Sequence, residues 1–291
     1  MMKKIWNTWY LYYNGDADSL LKEIVHPSLE NIEEKLKKEV KFFFIRYFEN
    51  GYHIRLRLLL SDEESSVFIS VLKDQISVYE KHHGVNLILK EALYIPETKR
   101  YGNADTILFA ESQFDASSRL VLHNLLQNSS LTASERYLLA LKTHFAFFKG
   151  MGLSRIYSQQ LCDQFIQSWL PLPVSKDADE EEQNRMGVLS AFQQQFEVYQ
   201  TLLYERVSEF WTALDTTTDP FILQFLKVNH EVWKEYTQSQ LPENALNEAF
   251  LSFIHMTNNR LGIINSEESY LLFLIKQTIP LIQNYDNQPG T

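Results

Sequence analysis

The stretch from Lys41 to Leu60, KFFFIRYFENGYHIRLRLLL, constrains what this chain can fold into more than any other. Two aromatic and β-branched runs flank Asn50-Gly51, the pair favoured by a two-residue type I′ turn because both of its central positions take positive φ. A hairpin with that pair at its tip sets Phe48 across from His53, Arg46 across from Arg55 and Phe44 across from Arg57 on one face. Phe43, Ile45, Tyr47, Ile54, Leu56 and Leu58 then share the other face and predict a core contact. Arg46 opposite Arg55 is a like-charge pairing, which costs stability. Such crowding suits an anion or a row of carboxylates, since the guanidinium fork matches a carboxylate. It also suits a solvated sheet face, and the hairpin alone leaves both readings open.

The segments around the hairpin complete a pattern. Ile5 to Tyr13 is aromatic and strand-like, ended by the turn signal Asn14-Gly15-Asp16. Asp18 to Lys38 carries Leu21, Ile24, Val25, Leu29, Ile32 and Leu36 at helical spacing, with Pro27 as a potential kink. Ser61 with Glu64 three residues on reads as a capping box, opening a helix that runs to His82-His83-Gly84. Leu87 to Ile95 reads as a fourth strand. The order β-α-β-β-α-β is that of a ferredoxin-like antiparallel sheet with both helices on one face, which leaves the arginine face on the far side.

From Glu111 onward the periodicity turns helical: Ser117 to Leu126, Ala133 to Lys149, Ser154 to Leu170, Val188 to Leu214, Phe221 to Tyr236, Glu243 to Leu261 and Glu267 to Leu281. Pro171-Leu-Pro173 breaks the series, and the charge run Asp177 to Glu182 reads as a solvated loop. A polar, frayed tail is expected after Leu281. The fold class expected is therefore α+β, with residues 1–105 as the ferredoxin-like part and 106–291 as a helical part packed on it.

Bulk properties narrow the function. At 291 residues and 45% hydrophobic content the chain is long enough for a packed core, and its net charge of −10 speaks against a nucleic-acid surface. The single cysteine, Cys162, leaves no internal disulfide and no multi-thiolate metal site, which fits a reducing, cytoplasmic setting. The N-terminus lacks the apolar core of a signal peptide, and no apolar run reaches membrane-spanning length. Walker, dinucleotide-binding and nucleophile-elbow patterns are missing, and the eight histidines form no recognised metal motif. Cofactors are expected to be none.

Two further stretches carry residues of possible chemistry. In Tyr94-Ile-Pro-Glu-Thr-Lys-Arg-Tyr-Gly102 the chain leaves the fourth strand through a proline and presents Arg100 in a Gly-terminated loop. In Ser252-Phe-Ile-His-Met-Thr-Asn-Asn-Arg-Leu-Gly262, Ser252, His255, Met256 and Asn259 share a helical face. Taken alone, each reads more simply as an ordinary loop tip and a satisfied core histidine.

In combination they carry a resemblance. FFFIRYFENGYHIRLRL, then YIPETKRYG followed by AESQFDASSRLVL, then SFIHMTNNRLG, in that order from Trp6 to about Leu281, resemble the C-terminal elimination domain of lanthipeptide dehydratases, also described as the thiopeptide-type bacteriocin biosynthesis domain. The resemblance implies an enzyme that expels glutamate from a serine or threonine already glutamylated from glutamyl-tRNA, leaving dehydroalanine or dehydrobutyrine. It maps the family's important groups onto Arg57, Arg100 and His255 as catalytic residues, and Arg55, Arg46, Tyr101 and Asn259 as substrate-binding ones. One departure is visible, since the usual RYGG reads Arg100-Tyr-Gly-Asn103 here.

The implied partners are a ribosomally made precursor peptide and a separate glutamyl-tRNA-dependent glutamylation protein, with a homodimer as a further partnership and no direct contact with nucleic acid. Because the chain begins at the elimination domain, a stand-alone or split component is expected. The same fold serves thiopeptide pyridine synthases, which join two dehydroalanines by a formal [4+2] cycloaddition and lose the leader. Those enzymes have less need of glutamyl-binding arginines, so Arg57, Arg100 and His255 favour elimination. A silent peptide-binding scaffold is the remaining alternative, and it gives no reason to align cationic groups.

Overall fold

A computed structural model describes residues 3–173 and 177–286. It divides into two compact units, Met1–Lys99 with Asn103–Leu131, and Arg100–Gly102 with Thr132–Thr291.

The first unit is built on four strands, β1 (Ile5–Tyr12), β2 (Phe42–Phe48), β3 (Tyr52–Leu60) and β4 (Ile88–Leu93). They pair in the order β2-β3-β1-β4, every neighbour antiparallel, which is the ferredoxin-like arrangement the sequence predicts. Between β1 and β2 the chain runs through α1 (Ala17–Leu20), a π-helical turn over Leu21–Val25 and α2 (His26–Leu36). The widening falls just ahead of Pro27, whose missing N–H cannot serve the α-helical ladder.

Helix α3 (Asp62–His83) opens on the expected capping box, with Ser61 and Glu64 exchanging bonds, and closes on Gly84 at φ 66°. Gly84 takes there the left-handed conformation in which glycine carries no Cβ penalty. Trp9 meets Phe68 of α3 at 5.0 Å, so this helix covers the face bearing Ile54, Leu56, Leu58 and Leu60, all fully buried. Burying such side chains stabilises by about 1.5–3 kcal/mol each.

The hairpin is present, but its register differs from the expected one. Tyr47 pairs with His53, Ile45 with Arg55 and Phe43 with Arg57. Glu49, Asn50 and Gly51 together form the tip, with Asn50 at φ 56° and Gly51 at φ 109°. A three-residue loop moves one strand by one residue relative to a two-residue turn, and a one-residue slip turns a whole strand over. Arg46 therefore sits opposite Ile54 on the helix-covered face, where its NH2 meets Asp18 Oδ1 at 2.5 Å. The expected Arg46–Arg55 opposition does not exist.

Helix α4 (Ile107–Leu126) also belongs to the first unit and starts ten residues before the helical stripe expected from Ser117. It closes the outer edge of β2: the Phe42 amide donates to Asp115 Oδ1 at 3.0 Å and the Phe44 amide to Ser118 Oγ at 3.3 Å. These side chains satisfy donors that an edge strand otherwise leaves open.

The second unit is helical: α5 (Ala133–Met151), α6 (Arg155–Trp169), α7 (Ala178–Ala213), α8 (Pro220–Gln238), α9 (Glu243–Leu261) and α10 (Asn265–Thr278). Gly150 lets α5 approach α8 closely, since a Cβ there would lie 2.9 Å from the Leu226 carbonyl oxygen. The acidic run Asp177 to Glu182, expected as a solvated loop, instead caps and opens α7. Asp177 accepts from the Asp179 amide, and acidic side chains fill the first turn, where the helix dipole favours negative charge. The tail expected to fray after Leu281 is instead packed down over residues 282–286, where Tyr285 is fully buried, stacks on Trp211 at 4.4 Å and donates to Ser158 Oγ at 2.8 Å; residues 287–291 lie outside the described residues. Among those residues no helix is long and apolar enough to cross a membrane, and no group of His, Cys, Asp and Glu is arranged to hold a metal ion.

Candidate active site

The face of the sheet opposite α3 carries Trp6, Thr8, Tyr10 and Tyr12 from β1, Phe43, Ile45 and Tyr47 from β2, and His53, Arg55 and Arg57 from β3, with Thr8, Phe43, Ile45 and His53 buried. The two arginines there differ in what holds them. Arg55 is fully engaged: its guanidinium lies 3.5 Å over the Tyr47 ring and 4.7 Å from Tyr10, and its NH2 pairs with Glu49 at 3.1 Å. Its Nε donates to His53 Nε2 at 3.1 Å, while His53 Nδ1 donates to the Gly51 carbonyl at 2.9 Å. Burial lowers the His53 pKa, in keeping with this neutral tautomer.

Arg57 has none of these partners. Its guanidinium is held between the rings of Phe43, 5.1 Å away, and Tyr94, 5.0 Å away. Its Nε is buried without an acceptor, and among the described residues it forms no ion pair. Burial pushes its pKa below the usual arginine range, opposed by Tyr94, Tyr10 and Glu97 and reinforced by Arg55. Burying a cation with no ion pair among the described residues is costly, and pairing it with an anion offsets part of that cost.

Burial raises the pKa of the Glu111 carboxyl on α4, and the Trp6 and Tyr94 side chains facing it draw it back down. Glu111 thereby stands behind one wall of the Arg57 slot. Neither its position nor its role has a signal in residue spacing.

Arg100, Tyr101, His255 and Asn259 fall in the second unit. Arg100 Nε donates to Ser252 Oγ at 2.9 Å, one helical turn before His255 on α9. Tyr101 is buried, stacked on Phe253 at 5.4 Å, and its carbonyl accepts from the Tyr236 hydroxyl at 2.9 Å. It anchors the segment that presents Arg100. Gly102 follows at φ 98°, a backbone that favours glycine. Asn103, in place of the usual second glycine, accepts from the Asp105 and Thr106 amides and turns the chain into α4. Asn259 is half-buried one turn beyond His255.

His255 is not the satisfied core histidine that its helix face alone suggests. Its Nδ1 lies 3.0 Å from both carboxylate oxygens of Glu268 on α10, and its ring stacks on Trp169 of α6 at 4.3 Å. The side chain keeps 13% exposure while Glu268 is fully buried, and among the described residues His255 Nε2 has no hydrogen-bond partner. Trp169 is itself fixed, its carbonyl accepting from Ser269 Oγ at 2.6 Å.

Behind Glu268 the bonds continue inward. Asn258 Nδ2 donates to Glu268 Oε2 at 3.2 Å, and Asn258 Oδ1 lies 2.6 Å from His144 Nε2 of α5. His144 is fully buried, and burial pushes its pKa down to about 4, partly opposed by the bond to Asn258. Glu268, Asn258 and His144 have no motif of their own. His144 stands beside the apolar run Phe145 to Phe148, whereas Glu268 and Asn258 sit among polar neighbours and give no hint of their burial.

A histidine held through Nδ1 by a buried carboxylate presents Nε2 for proton transfer. An unpaired guanidinium offers a place for a carboxylate or for developing negative charge.

A family model described as lantibiotic biosynthesis dehydratase C-term matches residues 6–279. Among solved structures, the tRNA-dependent lantibiotic dehydratase MibB from Microbispora sp. 107891 aligns at 18% identity with a TM-score of 0.65, covering 98% of this chain and 28% of that one. The pyridine synthase TbtD from thiomuracin biosynthesis aligns at 11% identity with a TM-score of 0.68, covering 94% of this chain and 97% of that one. TsrL aligns at 13% identity with a TM-score of 0.64, covering 97% and 99%. At these identities the likeness is one of fold. No curated protein gives a significant match.

Proposed function

The chain belongs to the lantibiotic biosynthesis dehydratase C-terminal family, and on that premise we propose that it expels glutamate from glutamylated serine or threonine of a ribosomally made precursor peptide. The product is dehydroalanine or dehydrobutyrine. The glutamyl ester is installed beforehand by a separate glutamyl-tRNA-dependent activity.

The observation that carries this reading is Arg57, whose guanidinium lies between Phe43 and Tyr94, with its Nε buried and no ion pair among the described residues. β-Elimination releases a carboxylate and passes through enolate-like charge on the peptide carbonyl, so it calls for such a cation. A cycloaddition between two neutral dehydroalanines does not.

In the proposed step His255 Nε2 takes the α-proton of the modified residue, and the electrons of the Cα–H bond become the Cα–Cβ double bond. The Cβ–O bond breaks and glutamate leaves with that electron pair. Arg57 and Arg100 bind the glutamyl carboxylate and screen the enolate-like charge. Glu268 stabilises the imidazolium that forms. Arg55, pinned between two tyrosines, shapes the neighbouring surface.

The test is incubation of the protein with a glutamylated peptide, followed by mass spectrometry. Free glutamate together with a peptide one water lighter than its unmodified form supports the reading. Ring formation with loss of the leader from a dehydroalanine-containing peptide, with glutamyl esters left untouched, supports pyridine synthesis instead.

A further inference from the structure

We infer that His144 is a positioning residue that fixes, through Asn258 and Glu268, which ring nitrogen of His255 carries the proton; the consequence for turnover rests on the elimination reading above. The inference is carried by an unbroken chain: His144 Nε2 to Asn258 Oδ1 at 2.6 Å, Asn258 Nδ2 to Glu268 Oε2 at 3.2 Å, and both Glu268 oxygens to His255 Nδ1 at 3.0 Å. His144, Asn258 and Glu268 are all fully buried, so water does not compete for these bonds.

The direction of every bond follows from the inner end. Burial keeps His144 neutral at physiological pH, and a neutral imidazole has one donor. Its Nδ1 is buried with no partner, so the proton sits on Nε2 and is donated to Asn258 Oδ1. That bond turns the amide so that its NH2 group faces Glu268. A flipped amide would set its carbonyl oxygen against the carboxylate and leave His144 Nε2–H facing an amine.

With Asn258 donating to Oε2, the Glu268 carboxylate is held as an acceptor in a dry setting. The group facing it must then be a donor, which makes His255 the Nδ1–H tautomer and frees Nε2 as a base. A proton on the wrong nitrogen of such a histidine disables it, because the free nitrogen then lacks a lone pair to accept one.

The experiment uses the full chain labelled with 15N-histidine and reads the ring nitrogens by long-range 15N–1H correlation. In the wild type, His144 is expected to carry its proton on Nε2 and His255 on Nδ1. In His144→Leu, His255 is expected to lose its single tautomer, and kcat on a glutamylated peptide to fall about tenfold, as for one lost buried hydrogen bond, with KM little changed.

His144→Gln places an amide donor near the former Nε2 and is expected to restore both. An effect on packing alone would not be rescued by glutamine, nor would it alter the tautomer. An unchanged tautomer and kcat in His144→Leu would overturn the inference, as would a wild-type His144 protonated on Nδ1. If the leucine variant fails to fold, the wild-type spectrum and His144→Gln still decide. The nitrogen signals need no turnover, so an inactive wild type would sink the elimination reading alone.

Discussion

Both oxygens of Glu268 lie 3.0 Å from a single ring nitrogen of His255, and that carboxylate is fully buried while the histidine keeps 13% exposure. A buried carboxylate so placed does two things for a proton-transfer histidine: it selects the tautomer and it stabilises the cation that forms. It also comes from a different helix, α10, joined to α9 across Gly262.

Replacing Glu268 therefore tests the site more sharply than replacing His255. Glu268→Gln keeps the volume but offers an amide in place of a charge. The expected outcome is a fall in kcat of about 100-fold or more with little change in KM, since the lost interaction strengthens only as the imidazolium forms. Steady-state kinetics on a glutamylated peptide measure it.

Arg57 is predicted to separate activity from stability. Its guanidinium lies between Phe43 and Tyr94 and forms no ion pair among the described residues, so Arg57→Met removes a charge whose burial no salt bridge offsets. Thermal unfolding is expected at the same temperature or a few degrees higher, at roughly 2–4 °C per kcal/mol for a domain of this size. Glutamate release is expected to be abolished. A marked fall in Tm would show that Arg57 is a structural cation after all.

Arg46 is predicted to behave in the opposite way. Paired with Asp18 on the helix-covered face, with only 11% and 10% side-chain exposure, it is a buried ion pair. Arg46→Ala leaves the Asp18 carboxylate without this partner and should cost about 3 kcal/mol in denaturant unfolding. Elimination per folded molecule should stay close to wild type.

The buried His144 gives stability a pH dependence of defined sign. Its folded pKa is depressed to about 4, below the unfolded value near 6.5. Between those values the unfolded chain binds a proton that the folded chain does not. Stability is therefore full above the unfolded pKa and is lost as pH falls through that window, by about 3 kcal/mol in all. His53, also lowered by burial, adds in the same direction. Urea unfolding from pH 7 to pH 4 should show the loss, and His144→Gln should reduce its slope.

The order of strands and helices was legible in the sequence because alternation and capping are local. Ser61 with Glu64 announces its helix unaided. The hairpin register was not legible, because Asn-Gly serves both two- and three-residue loops, and the choice between them moves Arg46 to the other face. The start of α4 was hidden by the Asn103–Thr106 turn, which is polar and lacks helical periodicity. Arg57 and His255 could be singled out from their stretches. Glu268, Asn258, His144 and Glu111 could not, because each acts across elements that only the fold brings together. What marks them in the fold is that each is a buried polar side chain, which needs a partner.

The most direct measurement follows the fate of the α-hydrogen in a glutamylated serine peptide deuterated at Cα. If His255 removes that hydrogen as glutamate departs, release of glutamate is accompanied by loss of the deuterium, shows a normal primary isotope effect, and disappears in His255→Ala. Glutamate released with the deuterium retained at Cα and serine regenerated would mean hydrolysis of the ester, and would contradict the account.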